Sequence, residues 1–144
     1  MAALPFLNTN ILIRHLTQDD PTLSPRATAM VRRIQAHELV VRTTATVVFE
    51  TVYTLQRFYQ VPRPVIRQTL FPLLTLRSVR LRGKRRYRRT FDLYVSMPRL
   101  SFADCYHVAY MESQGLTELL SFDQYFDRIP TITRKEPDAS GLPT

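Results

Sequence analysis

The sequence predicts an α/β fold with a mostly parallel sheet. Short apolar runs alternate with longer segments of helical periodicity along the chain, and this alternation is typical of strands joined by helices. Two of the apolar runs end abruptly in polar residues, at Leu7-Asn8 and at Leu120-Ser121. In such folds, ligands bind beyond the carboxyl ends of the strands. These two positions are therefore candidates for the floor of a functional cleft.

The length of 144 residues suits one domain with one hydrophobic core. We expect this domain to span residues 1–137, followed by a disordered tail over residues 138–144 that is rich in Pro, Gly and polar side chains. No apolar run approaches the roughly 18–20 residues needed to cross a membrane. The start of the chain lacks a basic region followed by an apolar segment, so no signal peptide is expected.

Cysteine content and charge restrict the location and the partners. A single cysteine, Cys105, excludes an internal disulfide and fits a reducing cytoplasm. The net charge of +8 comes almost entirely from arginine, which makes forked contacts with phosphate. The charge favours an anionic partner, either nucleic acid or an acidic protein. The alternative is a solvated surface encoded by a genome that favours arginine codons.

The first half of the chain contains three predicted helices. A strand over residues 4–7 precedes a short helix, and Ser24-Pro25 is expected to open the second helix. After a strand at Leu39–Val41, a third helix is expected from Thr43 or Thr44 to about Tyr59. This third helix is apolar nearly all round, which predicts burial, with Glu50 in its middle. A buried carboxylate is costly unless it binds a metal or pairs with an arginine.

The second half contains a helix over residues 62–76, kinked or broken at Pro72, and then a strongly basic segment. Eight basic residues and no acid lie between Arg77 and Arg89. Tyr87 and Phe91 lie within or beside this segment, and basic side chains next to aromatic rings suit single-stranded nucleic acid. The alternative is a surface on which the arginines neutralise the protein's own acids. The candidate nucleic-acid-binding residues are Arg82, Lys84, Arg85, Arg86, Arg88 and Arg89.

The last predicted helix begins at Ser101, an N-cap with Asp104 three residues later, and ends at Gly115. A strand at Leu119-Leu120 then ends in Ser121-Phe122-Asp123. Asn8 and Asp123 therefore follow strands, while Glu50 and Asp104 lie on inward helix faces. If the sheet gathers these four residues at one edge, their oxygen atoms form a site of the kind that Mg²⁺ or Mn²⁺ prefers.

The chain resembles the PIN-domain ribonucleases of the toxin type, the VapC-like half of bacterial toxin–antitoxin pairs. The resemblance covers residues 4–137. It is carried by Phe6-Leu7-Asn8-Thr9-Asn10, by Glu50, by Phe102-Ala103-Asp104 and by Ser121-Phe122-Asp123 with Phe126 after it.

The resemblance implies an α/β/α sandwich with a central sheet of four or five strands. It also implies divalent metal held by four acids, cleavage of single-stranded RNA, homodimers, and inhibition by an antitoxin protein that inserts into the groove.

One residue departs from the family pattern, because Asn8 stands where the family has its first aspartate. The implied catalytic and metal-binding set is Asn8, Glu50, Asp104 and Asp123, with three formal negative charges. Loss of a charged ligand weakens Mg²⁺ binding, so we expect a weak or inactive ribonuclease. The alternative is an inactive module that binds RNA or an antitoxin peptide.

Five neighbouring residues have secondary roles. Thr9 and Asn10 either orient the site or cap the following helix. Ser121 either contacts a metal-bound water or forms a turn. His107 is expected to be a core histidine, the alternative being a contact with RNA or support of one of the acids. Asp127 is expected to pair with the arginine that follows it or with another one nearby.

Overall fold

A computed structural model describes residues 2–144. It contains six α-helices, four short β-strands and one 3₁₀ helix in this described part. The helices are α1 (Thr9–Thr17), α2 (Leu23–Gln35), α3 (Ala45–Arg57), α4 (Arg63–Thr75), α5 (Arg86–Ser96) and α6 (Phe102–Ser113). The strands are β1 (Val41–Arg42), β2 (Val79–Arg80), β3 (Glu118–Leu120) and β4 (Thr133–Lys135), and the 3₁₀ helix is Gln124–Arg128.

The strands form two parallel pairs. β1 pairs with β2, and a single bridge between Phe6 and Arg42 adds the first apolar run beside β1. β3 pairs with β4. The α/β class is therefore confirmed. The strands of residues 2–144 make two sheets of two strands each, so the single sheet of four or five strands is not seen.

The hydrophobic core lies between the helices and the inner face of β1 and β2. Its largest fully buried side chains are aromatic residues of α5, namely Tyr87, Phe91 and Tyr94. Phe102 of α6 packs against Phe91 and Tyr94, with ring centroids 5.0 and 5.3 Å apart. This aromatic group fixes the first turn of α6 against α5, and so determines where Asp104 lies.

Two helix boundaries differ from the predictions. α2 begins at Leu23 rather than after a Ser24 cap, because one carboxylate oxygen of Asp20 accepts hydrogen bonds from the Thr22 and Leu23 amides at 2.9 and 2.7 Å. Helix α4 continues through Pro72 to Thr75 without a break. Pro72 lies in the last turn, so its missing N–H affects only the end of the helix.

The prediction that α3 is buried all round is wrong. Val48, Val52 and Leu55 are buried, but Glu50 is exposed and the Tyr53 side chain is 62% exposed. Glu50 and Tyr53 are three residues apart, so they lie on the same side of the helix. The sequence pattern treats tyrosine as apolar. Its ring is apolar, but its hydroxyl group hydrogen-bonds with water, so a tyrosine can remain at the surface of a helix.

The end of the chain folds back on itself. Pro137 and Pro143 form an antiparallel bridge, and the Asp138 amide donates to the Leu142 carbonyl at 2.8 Å. The Asp138 side chain accepts hydrogen bonds from the Ser140 and Leu142 amides. The segment expected to be a disordered tail, residues 138–144, thus forms a turn in the structure. The division of the chain at residue 137 stays a prediction.

None of the helices within residues 2–144 is long and apolar enough to cross a membrane. Cys105 is buried in α6, and burial raises the pKa of its thiol to about 12. The thiol is therefore protonated and unreactive at neutral pH, because the thiolate is the nucleophilic form.

The Asp19 carboxylate, which lies between the ends of α1 and α3, is expected to make the stability of the fold decrease at low pH. The Tyr59 hydroxyl donates to Asp19 at 2.6 Å and Arg14 pairs with it at 2.8 Å. These contacts lower the pKa of Asp19 from 3.8 to about 2. A depressed carboxyl pKa stabilises the fold above the unfolded-state pKa, and this contribution is lost as the pH falls from about 4 towards 2.

Asp19→Asn should therefore reduce the decrease in melting temperature between pH 5 and pH 2. The matched control is Asp92→Asn, which removes a carboxylate from an exposed pair with Arg67. Melting curves across this pH range measure the difference. Equal acid profiles for Asp19→Asn and the unaltered chain would contradict the assignment.

Candidate active site

Asn8 lies at the end of the first apolar run and caps α1. Its side-chain oxygen accepts a hydrogen bond from the Thr9 amide at 2.8 Å, and its extended backbone is that of an N-cap residue. Asn8 is exposed, whereas the preceding Leu7 is buried. The amide side chain is thus at the surface, with one oxygen lone pair used by the helix.

Thr9 joins the end of this run to α3. Its hydroxyl donates a hydrogen bond to a Glu50 carboxylate oxygen at 3.1 Å, across 41 positions of the sequence. Glu50 is exposed, so it does not bear the burial penalty that the sequence predicted. The Thr9 hydrogen bond places the Glu50 carboxylate beside Asn8 at the carboxyl edge of the first sheet.

Asp104 lies in the first turn of α6, and the predicted N-cap of that helix is confirmed. The Ser101 hydroxyl accepts a hydrogen bond from the Asp104 amide at 3.1 Å. The Phe102 ring packs edge-on against Phe49, with centroids 5.4 Å apart. Since Phe49 directly precedes Glu50, this contact brings the start of α6 next to α3. Asp104 is partly exposed there.

Asp123 is the N-cap residue of the 3₁₀ helix. Its carboxylate accepts a hydrogen bond from the Tyr125 amide, and its amide donates to the Ser121 hydroxyl, both at 3.0 Å. Asp123 lines a shallow concavity with Arg99 and Arg128, whose guanidinium groups lie 5.6 and 5.3 Å from the Tyr125 ring centre. Ser121 thus has the turn-forming role that was one of its two interpretations.

The acids do not form a ready ligand cluster. Across residues 2–144, no three side chains from His, Cys, Asp and Glu lie close enough together to hold a metal ion. The donor types, carboxylates and one amide oxygen, suit a hard divalent cation. Their spacing in this structure does not provide a three-acid site, although Thr9 does connect Glu50 to the Asn8 position.

Three other predicted residues have clear positions. Asn10 lines a separate concavity between α1 and α2 together with Arg14 and Arg26, so it lies on the α2 side of the helix. Asp127 forms an ion pair with Arg134 at 2.9 Å, which confirms the expectation that it pairs with a nearby arginine. The prediction that His107 is a core histidine is wrong, because the residue is exposed on α6.

Several residues of the basic segment are already engaged with the protein. The Lys84 ammonium donates to the Leu76 and Val79 carbonyls at 2.6 and 2.5 Å. Arg89 makes two hydrogen bonds to Glu112 at 2.8 and 3.1 Å. These two residues therefore connect elements of the fold.

The rest of the segment divides between packing and exposure. Arg86 donates to the Ser113 and Tyr106 hydroxyls, and Arg88 lies 5.6 Å from the Phe71 ring centre. Arg82 and Arg85 are exposed. The position of these residues as RNA ligands stays a prediction.

The sequence did not predict a groove that lies along α3. A cavity of about 570 Å³ lies between α3 and the starts of α4 and α6. Its walls include Phe49, Tyr53, Arg57 and Phe102. The signal for it was present in the sequence, because Tyr53 and Arg57 follow Glu50 by three and seven residues and so share its helix face.

Arg63 supports one side of this groove and was also missed. Its guanidinium donates to the Tyr94 and Leu100 carbonyls at 2.9 and 2.7 Å and lies 4.2 Å from the Tyr94 ring centre. These contacts connect the start of α4 to the end of α5 and to the loop before Ser101. Arg63 therefore fixes the approach of α6, which carries Asp104.

A family model provides an independent assignment. The model of the PIN domain matches residues 6–132, a range that includes Asn8, Glu50, Asp104 and Asp123. A search among curated proteins found no match. PIN domains are generally nucleases that use divalent metal ions and act on RNA or DNA, so the match supports a nuclease-like function. Because residues 6–132 make up most of the chain, the chain belongs to the PIN domain family.

Proposed function

We propose that this chain is a ribonuclease of the toxin type that engages single-stranded RNA and hydrolyses it weakly. The observation that carries the proposal is the Thr9–Glu50 hydrogen bond at the end of the first apolar run. It sets a carboxylate beside Asn8 in a chain of the PIN family. The toxin type rests on the resemblance to VapC-like proteins and on the basic charge of +8.

Glu50, Asp104 and Asp123 are the proposed metal ligands and catalytic acids, and Asn8 contributes an amide oxygen. The proposed cation is Mg²⁺ or Mn²⁺, because the donors are all hard oxygen atoms. A bound cation of this kind lowers the pKa of a water molecule and neutralises phosphate charge. In this chain, Thr9 holds Glu50 in position through its hydroxyl, and Ser101 fixes the turn that carries Asp104.

Two features support a weak activity. Asn8 brings no charge, and its side-chain oxygen already accepts the Thr9 amide hydrogen bond. In addition, the described acids do not come together as a set of three. Gathering them around one cation requires movement of Asp123 or of the helices, and such movement has a free-energy cost that lowers metal affinity.

The same proposal includes partners of the toxin type. The groove along α3 is bounded by the exposed Tyr53 and by Phe49, and this apolar lining suits a peptide segment of an antitoxin protein that would bind next to the helix carrying Glu50. The proposal also includes that the chain forms a homodimer and is located in the cytoplasm. The location is supported by the lone cysteine, which has no disulfide partner in the sequence.

A second candidate function is favoured by the separation of the acids. A PIN-fold module without catalysis needs the groove and the basic surface but not a metal-binding cluster. The lack of a three-acid site among the described residues is compatible with this alternative. The partner would then be RNA or an antitoxin peptide, held without hydrolysis.

A cleavage assay with single-stranded RNA separates the two functions. We expect slow, Mn²⁺-dependent cleavage that EDTA stops and that Glu50→Gln reduces by at least ten-fold, since the amide keeps the Thr9 hydrogen bond but removes the charge. The matched control is Glu38→Gln, which alters an exposed pair with Arg33. Cleavage that is the same for Glu50→Gln and the unaltered chain would reflect a contaminant, and no cleavage at all would favour the binding module.

A further inference from the structure

A row of side chains crosses the outer face of the first sheet. Phe6 is the register partner of Arg42, and Arg42 is the register partner of Arg80. All three are exposed, whereas their chain neighbours Leu7 and Val41 are buried. Alternate residues of a strand point to opposite faces. One face of this sheet therefore covers the core, and the other presents an aromatic ring beside two guanidinium groups.

The positive charges on this face are crowded and lack acid partners. Neighbouring strands lie about 4.8 Å apart, so Arg42 and Arg80 are adjacent, and like charges directly opposite each other are unfavourable. Arg77 and Arg82 border the same concavity of about 620 Å³, and no described Asp or Glu lines it. None of these four arginines forms an ion pair within residues 2–144.

The local potential also affects a neighbouring lysine. The pKa of Lys84 is lowered, first by burial and then by the charge of Arg80. Lys84 is held by two backbone carbonyls and cannot turn away from the face. The face therefore contains a cation fixed by hydrogen bonds in addition to its exposed arginines, and an anion placed there relieves their mutual repulsion.

We propose that this basic sheet face, formed by Phe6, Arg42, Arg77, Arg80 and Arg82, binds the phosphates of single-stranded RNA while one base stacks on Phe6. The proposal deepens the proposed function, on which it rests, by placing the substrate path. Phe6 lies two residues before Asn8, which corresponds to about 7 Å along a strand. RNA bound on this face would therefore lead directly towards the proposed cleavage site.

The observations favour RNA over an acidic peptide. Guanidinium groups match the fork of phosphate oxygens, and an exposed ring in the same row offers a stacking surface that unpaired bases occupy on other sheets. Phe6 is 54% exposed, and an acidic peptide has no need for it. A duplex has no unpaired base to place there, so the preference should be for single strands.

The test measures equilibrium binding of a fluorescein-labelled single-stranded RNA across salt, in EDTA, so that cleavage plays no part. The variant combines Arg42→Ser, Arg80→Ser and Arg82→Ser. Its matched control combines Arg26→Ser, Arg32→Ser and Arg33→Ser, three exposed arginines of α2. The slope of log affinity against log salt should fall by about 0.7 for each arginine–phosphate interaction that the substitutions remove, in the variant and not in the control.

A second variant separates stacking from charge. Phe6→Ala should weaken RNA binding roughly ten-fold at every salt concentration with an unchanged slope, and Phe6→Tyr should retain the affinity, because stacking needs only an aromatic face. Melting curves verify that each variant is folded. Binding of a labelled polyglutamate peptide is measured in parallel with the same variants.

Two outcomes would overturn the proposal. Equal slope changes in the variant and its control would mean that charge is spread over the surface. Loss of polyglutamate binding as large as the loss of RNA binding, with no effect of Phe6→Ala, would identify an acidic peptide as the ligand. These binding results do not depend on hydrolysis, so failure of the ribonuclease assay with Glu50→Gln remains a separate result.

Discussion

Asn8→Asp is expected to raise divalent-metal affinity and RNA cleavage by roughly 10²-fold or more, the value of one charge–metal contact in a partly wet site. Aspartate is as good an N-cap as asparagine, so the Thr9 amide should keep its acceptor. The added charge lies beside Glu50, which Thr9 holds in place. The expected gain in metal affinity and cleavage therefore comes from the added negative charge, since the N-cap of α1 is unchanged.

The same variant should lose thermal stability without metal and regain it with Mg²⁺. The added carboxylate would lie near that of Glu50, and two neighbouring carboxylates repel one another until a cation enters. A ligand that binds only the folded state then stabilises it. Melting temperature and cleavage of single-stranded RNA, each with and without Mg²⁺, measure both effects.

The matched control is Asn10→Asp, which adds the same charge on the side of α1 that borders α2. A gain in Asn8→Asp alone would support a metal site that includes residue 8. If neither metal-dependent quantity rises in Asn8→Asp, the acids do not form a working metal site. The chain would then be assigned to the binding-module alternative.

Phe102→Ala is expected to lower the free energy of unfolding by about 3–5 kcal/mol, the usual cost of truncating a buried phenylalanine. Phe102 is 6% exposed and contacts three rings, those of Phe49, Phe91 and Tyr94. Removing it leaves a cavity between α3, α5 and α6. For a chain of this size the melting temperature should fall by roughly 10–15 °C.

Phe122→Ala is the control, because Phe122 is 71% exposed and a surface change of this kind is usually within about 0.5 kcal/mol. Thermal and denaturant unfolding of both variants give the comparison. A change below about 1 kcal/mol for Phe102→Ala would mean that the aromatic group does not hold α3 and α6 together. The placement of Asp104 relative to Glu50 would then need another cause.

Local signals explain what the sequence predicted well. The N-cap at Ser101 and the helix start after Asn8 depend on side chains that bond amides one to three residues away. Such contacts are fixed by short stretches of sequence. The α/β class followed in the same way from the alternation of short apolar runs with helical segments.

Packing explains what the sequence did not predict. The run Leu39–Val41 was expected to be a strand, but only Val41 and Arg42 pair with β2, because the Leu39 amide bonds back to Arg33 at the end of α2. The convergence of Glu50, Asp104 and Asp123 was expected because Asp123 follows a strand and the other two acids were placed on inward helix faces. How close such residues come depends on the angles between helices, which no local pattern encodes.

Long side chains are a second source of error. Arg86 and Arg89 belong to a run that looks uniformly available for RNA, yet they bond to Ser113 and Glu112 of α6. Conversely, Arg42 lies outside the run but joins Arg80 on the basic sheet face through strand register. The basic run in the sequence therefore indicated that this surface is positively charged, but it contained only some of the residues that form the surface.

The basic sheet face also restricts how copies of this chain can associate. In a two-fold symmetric dimer the same surface of each subunit meets its own copy, so pairing through this face would place Arg42 and Arg80 against identical charges. Such juxtaposition of like charges costs several kcal/mol. The proposed homodimer would therefore use another surface and leave this face accessible in each subunit. Self-association through this face should appear only when salt or a polyanion screens the arginines.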